Sequence, residues 1–118
     1  MSGMMICDDL IFASRVTTTA RAQRLQLAVA PSTDAALALM ARSCPTAIIL
    51  DLQNPGLNLS DFLEELAKRV TPRPRVIAYG SHVDVESLKA ARAAGCERVM
   101  PRSQFVEQLE SSLAEWLR

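Results

Sequence analysis

The feature that most constrains the fold of this chain is the alternation of short apolar runs with longer amphipathic segments along its 118 residues. A strand that is buried on both faces of a sheet reads as a continuous apolar run, whereas a helix on the sheet repeats its apolar residues every three or four positions. Runs of the first kind predict five strands, at residues 4–7, 25–29, 47–50, 75–79 and 98–100. The alternation therefore indicates a parallel sheet with helices on both faces.

The segments between the runs are predicted to be helices with recognisable ends. The first covers residues 10–23. Side chains that can accept a hydrogen bond from the first free backbone N–H groups are favoured at helix starts, and glycine is favoured just past a helix end. On this basis Ser32, Ser60 and Asp84 are predicted to begin the second, third and fourth helices, and Gly95 to follow the fourth. The fifth helix is predicted from about residue 104, with Trp116 on its buried stripe.

Five strand–helix units in 118 residues predict a single domain spanning residues 1–118. With right-handed crossovers, the simplest arrangement is a doubly wound, flavodoxin-like α/β fold with a five-stranded parallel sheet. In sheets of this kind, ligands bind in the loops that follow the carboxyl ends of the strands. The functional residues are therefore expected in those loops.

Composition excludes several classes of function. Thirteen basic and thirteen acidic residues cancel, so no overall field favours direct nucleic-acid binding. No apolar run approaches the roughly 20 residues that a membrane span requires. The cysteines, Cys7, Cys44 and Cys96, are odd in number and far apart, which is typical of buried thiols in a reducing compartment. We therefore expect a cytoplasmic protein without a membrane segment.

Acidic residues follow two of the predicted strands at the edge where ligands are expected. Asp8 and Asp9 come after the first strand, and Asp51 comes after the third. If these strands are neighbours, the three carboxylates converge, and an open group of carboxylate oxygens is how proteins hold Mg²⁺. Acidic residues at the ends of strands are also common as turn formers and helix N-caps. The spacing alone leaves both interpretations open.

Four blocks of the sequence carry a resemblance to a known family. The stretches "MICDD", "LAVAPSTDAALALMARSCPTAIILDLQNPG", "RVIAYGSHVD" and "AARAAGCERVMPRS" resemble successive parts of the response-regulator receiver domain. The resemblance implies the strand order 2-1-3-4-5, with Mg²⁺ held by Asp8, Asp9 and Asp51. It also implies that Asp51, four positions ahead of Pro55-Gly56, accepts a phosphoryl group from a histidine kinase.

The chain departs from the family pattern after the fourth and fifth strands. The hydroxyl that contacts the phosphoryl group in the family corresponds here to Gly80 by block alignment or to Ser81 by counting forward from Asp51. Arg102 occupies the place of the family's lysine, and Pro101 precedes it rather than follows it. Arg102 is interpreted either as a phosphate-binding residue or as a cation that pairs with Asp51 in place of a metal. These departures are those of an atypical receiver or pseudo-receiver.

The resemblance implies a stand-alone signalling module of the two-component type rather than an enzyme, with at most phosphorylation and autodephosphorylation of its own Asp51. Its protein partner, a histidine kinase or a downstream effector, is expected on the face of the fourth helix, fifth strand and fifth helix, and a homodimer is also open. The alternative is a small flavodoxin-like enzyme or nucleotide-binding protein. That function requires a phosphate-cradling loop after the first strand, where "CDDLIF" has no glycine and is acidic. No flavin or nucleotide is therefore expected.

Overall fold

The structure, a computed structural model, describes residues 2–118 and contains one parallel sheet with helices on both faces. The strand order is β2-β1-β3-β4-β5, which confirms the predicted doubly wound, flavodoxin-like α/β fold. In chain order the elements are β1 (Ser2–Ile6), α1 (Leu10–Ala22), β2 (Gln26–Ala30), α2 (Thr33–Met40), β3 (Ala47–Asp51), α3 (Leu59–Arg69), β4 (Arg75–Gly80), α4 (Val85–Ala93), β5 (Arg98–Pro101) and α5 (Arg102–Leu117).

The register of the strands brings the candidate residues to one edge of the sheet. Asp51, the last residue of β3, lies opposite Tyr79 of β4, and Gly80 at the end of β4 lies opposite Pro101 of β5. On the other side of β3, Leu50 pairs with Ile6, the last residue of β1. The loops after β1, β3, β4 and β5 therefore meet above the middle of the sheet.

The two faces of the sheet bury different side chains. The face covered by α2, α3 and α4 is mainly aliphatic, and Phe62 is its one buried aromatic residue among residues 2–118. The face covered by α1 and α5 holds a continuous row of rings. Trp116 stacks on Phe105 with 5.0 Å between ring centroids, Phe105 lies 4.6 Å from Tyr79, and Tyr79 lies 5.3 Å from Phe12. This row extends to the loops at the carboxyl ends of the strands.

Most helix ends agree with the sequence prediction, and two differ. Ser32 and Asp84 cap α2 and α4 as expected. The cap of α3 is Asn58, whose side chain accepts a hydrogen bond from the backbone N–H of Asp61 at 3.1 Å, so the prediction of Ser60 is wrong. Helix α5 begins at Arg102, two residues earlier than predicted, with Pro101 in the extended conformation as its N-cap. None of the helices described is long and apolar enough to cross a membrane.

The three cysteines do not share one environment. Cys7 and Cys96 are buried, as predicted, because Cys7 follows a central strand and Cys96 packs against the aliphatic core. Cys44 is exposed, and the prediction that it is a buried thiol is wrong. It lies in the connection between α2 and β3, at the amino ends of the strands, whereas the candidate residues lie at their carboxyl ends.

Candidate functional site

A cleft of about 310 Å³ opens at the carboxyl ends of β3, β4 and β5. Parallel strands end there without a covering helix, which is where the doubly wound fold places ligands. The cleft is lined by acidic, basic, hydroxyl and amide groups together with the rings of a tyrosine and a histidine. The lining residues are Asp51, Gln53, Tyr79, Gly80, Ser81, His82, Arg102 and Ser103.

Asp51 is the buried carboxylate of this cleft, and only 7% of the residue is exposed. Its Oδ1 accepts a hydrogen bond from the backbone N–H of Gln53 at 2.9 Å, and the thiol of Cys7 lies 3.7 Å from its Oδ2. Burial raises the pKa of Asp51, and the hydrogen bond from Gln53 and the positive charge of Arg102 oppose that rise. The negative charge of Asp8 raises it further. Asp51 is therefore held between the apolar sheet and the open cleft.

The acidic pair after β1 is divided between two roles. Asp8 is exposed, and its backbone N–H donates to Oδ1 of Asn54 at 2.8 Å. Asp9 is the N-cap of α1, because its Oδ1 accepts from the backbone N–H of Phe12 at 3.1 Å. That bond, together with Arg102, lowers the pKa of Asp9. The N-cap interpretation of the sequence thus applies to Asp9, whereas Asp8 is the residue whose charge acts on Asp51.

The carboxylates predicted to bind Mg²⁺ are only partly suited to hold a divalent cation. Across residues 2–118, no group of three or more His, Cys, Asp and Glu side chains is close enough together to hold a metal ion. Asp8 and Asp51 fit a cation chemically, since the charge of Asp8 raises the pKa of Asp51 and a cation relieves that repulsion. Asp9 fits only if its second oxygen leaves Arg102. Of the three predicted ligands, Asp9 is the one that an ion pair engages within residues 2–118.

Arg102 is the first residue of α5, and it reaches across the mouth of the cleft toward α1. Its guanidinium lies 3.5 Å from Oδ2 of Asp9 and 4.0 Å above the ring of Phe12. A planar guanidinium can stack on a ring and pair with a carboxylate at the same time, which the compact ammonium of lysine does less well. Its ion pair is with Asp9 rather than Asp51, although its charge still lowers the pKa of Asp51.

The two candidates for the hydroxyl position have different surroundings. Gly80 ends β4, and a Cβ atom there would lie 2.8 Å from Oε1 of Gln53. Ser81 is the first loop residue, lines the cleft, and accepts a hydrogen bond from the backbone N–H of Val83 at 3.3 Å. Of these two residues only Ser81 carries a hydroxyl, and Ser103 supplies a second one to the lining of the cleft. His82, the single histidine of the chain, is exposed in the same loop.

Two buried groups behind Asp51 complete its surroundings. The hydroxyl of Tyr79 donates to the sulfur of Cys7 at 3.5 Å, and the Cys7 thiol can in turn donate to Asp51. Burial raises the pKa of both Tyr79 and Cys7, so both are protonated at neutral pH. The sequence indicated Cys7 only as a buried thiol. Its place beside Asp51 follows from the pairing of β1 with β3.

Sequence reasoning also missed Gln53 and Asn54. The side chain of Gln53 accepts from the backbone N–H of Ser81 at 2.6 Å and donates to Oδ2 of Asp84 at 2.8 Å. Asn54 is buried and donates to the backbone carbonyl of Pro31 at 3.0 Å, besides accepting from Asp8. The available signal was a pair of amide residues just ahead of a Pro-Gly turn, a composition that favours bonds between side chains and backbone.

Comparison with known proteins gives a clear likeness of fold. No protein-family model and no curated protein sequence matches the chain. Among solved structures, the receiver domain of NtrX from Brucella abortus is 19% identical with a TM-score of 0.82, and 98% of each chain is covered. The signal receiver domain of a putative LuxO repressor protein from Vibrio parahaemolyticus is 21% identical with a TM-score of 0.80, covering 98% of this chain and 88% of that one.

The same fold also occurs as one part of a longer protein. The structure of NtrX from Brucella abortus matches with a TM-score of 0.82 at 19% identity, and the match covers 99% of this chain but 27% of that one. These likenesses show that the chain has the receiver-domain fold, as the resemblance of its sequence blocks implied.

Proposed function

We propose that this chain is an atypical receiver module of two-component signalling that acts in the cytoplasm and carries its phosphoacceptor at Asp51. The observation that carries the proposal is the buried carboxylate of Asp51 at the end of β3, facing a cleft that Ser81 and Arg102 also line. The fold shared with the receiver domain of NtrX supports it. The absence of glycine in the loop after β1 argues against the nucleotide-binding alternative.

In the proposed reaction, an oxygen of Asp51 attacks the phosphorus of a phosphohistidine or of a small acyl phosphate. A new P–O bond forms as the bond to the leaving group breaks, and Asp51 becomes an aspartyl phosphate. The backbone N–H of Gln53 orients the carboxylate, and the charge of Arg102 favours its ionised form. Ser81, which lines the same cleft, is proposed to contact the transferred group. No other substrate is proposed.

Mg²⁺ is the proposed cofactor, with Asp8 and Asp51 as its main ligands and Asp9 as a third. When bound, it neutralises charge that gathers on the oxygens of the transferring group. The ion pair with Arg102 engages Asp9, so we expect weak binding.

The proposed contact surface for a partner is the face formed by α4, β5 and α5. The partner is a histidine kinase, a downstream effector or a second copy of the chain. Asp84, the N-cap of α4, is bonded to Gln53 in the loop that follows Asp51, which supports a link between that loop and this face. The formal net charge of zero supports a protein partner rather than nucleic acid.

The test is the intact mass of the protein after incubation with acetyl phosphate and Mg²⁺. The expected result is a gain of one phosphoryl group that disappears in Asp51→Asn and when Mg²⁺ is chelated. Asp61→Asn, which removes an exposed carboxylate in the first turn of α3, is the matched control and should be modified like the wild type. No gain in the wild type, or an equal gain in Asp51→Asn, would contradict the assignment of Asp51.

A further inference from the structure

Gln53 contacts three separate parts of the site. Its backbone N–H donates to Oδ1 of Asp51 at 2.9 Å. Its side-chain oxygen accepts from the backbone N–H of Ser81 at 2.6 Å, and its side-chain nitrogen donates to Oδ2 of Asp84 at 2.8 Å. Two of these distances lie in the usual range for N–H···O hydrogen bonds, and the 2.6 Å contact with Ser81 is shorter. One residue therefore joins the carboxylate of Asp51 to the loop that follows β4.

The far end of this connection is the start of α4. Asp84 is the N-cap of that helix, and it accepts hydrogen bonds from both the backbone N–H and the hydroxyl of Ser87, at 3.2 and 2.6 Å. These two bonds, with the bond from Gln53, lower the pKa of Asp84. Because an N-cap fixes where a helix begins and in what direction, the Gln53 amide helps to set the position of the first turn of α4.

The side chain of Gln53 occupies space that β4 leaves open. Gly80 has no side chain, and a Cβ atom added there would lie 2.8 Å from Oε1 of Gln53 and 3.3 Å from Cβ of Leu52. Real Cβ contacts are not found below 3.0 Å, so a residue with a side chain at position 80 would displace the Gln53 amide. The absence of a side chain at Gly80 therefore permits the observed position of the Gln53 amide.

We infer that Gln53 is a positioning residue that transmits the state of the Asp51 carboxylate to the first turn of α4. A change of charge at Asp51 alters its bond to the Gln53 N–H, and the Gln53 side chain carries the displacement to Ser81 and Asp84. Coupling of this kind means that the effect of a change at one site depends on the state of the other site, and a double-mutant cycle measures it. The inference deepens the proposed function, since it gives Asp51 a route to the proposed partner face.

The experiment compares the backbone amide NMR spectra of four proteins: wild type, Asp51→Asn, Gln53→Met, and the double variant. Methionine keeps the length of the side chain and removes both of its hydrogen bonds. Asp51→Asn is expected to shift the amide signals of residues 81–87 in the wild-type background. In the Gln53→Met background those shifts should fall by roughly half or more, the non-additivity expected of coupled residues. Cys7, whose thiol lies 3.7 Å from Oδ2 of Asp51, is not reached through Gln53, so the shift of its amide signal should be the same in both backgrounds.

Two further variants make the result specific. Gln53→Glu keeps the acceptor for the Ser81 N–H and loses the donor to Asp84, so shifts at residues 84–87 should fall while those at residues 81–83 persist. Ser87→Ala removes one partner of Asp84 and leaves the Gln53 connection intact, so it should preserve the coupling.

Equal shifts at residues 81–87 in the Gln53 and Gln53→Met backgrounds would overturn the inference. So would the absence of any shift there when Asp51→Asn is made in the wild type. Neither result involves phosphorylation or a metal ion, so the inference can fail while the mass-spectrometric assignment of Asp51 stands, and the reverse also holds.

Discussion

The two walls of the cleft are held together by different kinds of contact. On the wall formed by α1 and α5, Arg102 lies 3.5 Å from Asp9 and 4.0 Å above the ring of Phe12, and its side chain is 47% exposed. On the wall formed by the loops after β3 and β4, Gln53 makes side-chain hydrogen bonds of 2.6 and 2.8 Å to Ser81 and Asp84. We call these the arginine wall and the glutamine wall.

The difference indicates which wall can move. An exposed ion pair is screened by salt and contributes little to stability, so the arginine wall can open and release Asp9 at small cost. The glutamine wall is also exposed, but it depends on short bonds and on the fit of Gln53 into the space above Gly80, so its parts should move together. One wall is therefore suited to admitting a cation or phosphoryl group, and the other to transmitting its presence.

The largest effect is expected when the fit of the glutamine wall is broken. Gly80→Thr displaces the Gln53 amide from its bonds to Ser81 and Asp84 and crowds Cβ of Leu52, so it should lower the free energy of unfolding by about 2 kcal/mol. In a Gln53→Ala background the same change should cost clearly less, because the colliding amide is gone. Urea unfolding of the four proteins measures both values. Ser81→Thr, which enlarges the neighbouring loop residue, is the control and should change little.

Removal of the Gln53 hydrogen bonds without a collision should have a smaller effect. Gln53→Met is expected to lower the free energy of unfolding by about 1 kcal/mol, and the loss should be independent of salt. Gln104→Met, at an exposed position of α5, is the matched control. A loss that disappears at high ionic strength would show that the glutamine wall depends on long-range charge, and would remove its contrast with the arginine wall.

Removal of the buried Asp51 charge, which lies between the two walls, should stabilise the protein. Burial raises the pKa of Asp51, so the folded state binds its proton more tightly than the unfolded state does. The wild type therefore loses stability as pH rises through that raised pKa, and Asp51→Asn does not. At neutral pH in a chelating buffer, Asp51→Asn should unfold at higher urea, by a margin smaller than the Gln53→Met loss, and the gain should vanish at low pH. If the gain in stability persisted at low pH, its cause would be something other than the loss of the ionised Asp51 carboxylate.

The smallest effect is expected at the arginine wall. Arg102→Gln removes a cation–π contact worth about 0.5 kcal/mol at an exposed site, together with a pair that salt already screens. Its cost should therefore shrink at high ionic strength, whereas Arg102→Lys should retain part of the pair.

Arg102→Gln should also bind Mg²⁺ more tightly than the wild type, which is measured as a larger rise of the melting temperature when the ion is added. Arg98→Gln, which breaks an exposed pair with Glu115, loses the same charge and should not alter Mg²⁺ binding.

The sequence predicted what depends on neighbours in the chain. The apolar run ending in Asp51 was recognised as a buried strand, and the position of the cleft followed from general rules for parallel sheets. The strand order followed from the resemblance to the receiver domain. The contacts that hold the walls join residues far apart in sequence: Arg102 to Asp9 over 93 positions and Gln53 to Asp84 over 31. Such pairs depend on side-chain directions that periodicity does not encode. The prediction of Ser60 as the cap of α3, where the structure has Asn58, failed at shorter range because both residue types are good caps.

The row of rings beneath the arginine wall gives the protein an optical reporter of its own. Trp116 is the single tryptophan and Tyr79 the single tyrosine of the chain, and Phe105 lies between them in the stack. Phe12 joins Tyr79 to the guanidinium of Arg102. Indole emission, and energy transfer from the phenol to the indole, should therefore respond when the cleft changes. Fluorescence of the unlabelled protein can then follow events at the mouth of the cleft in real time.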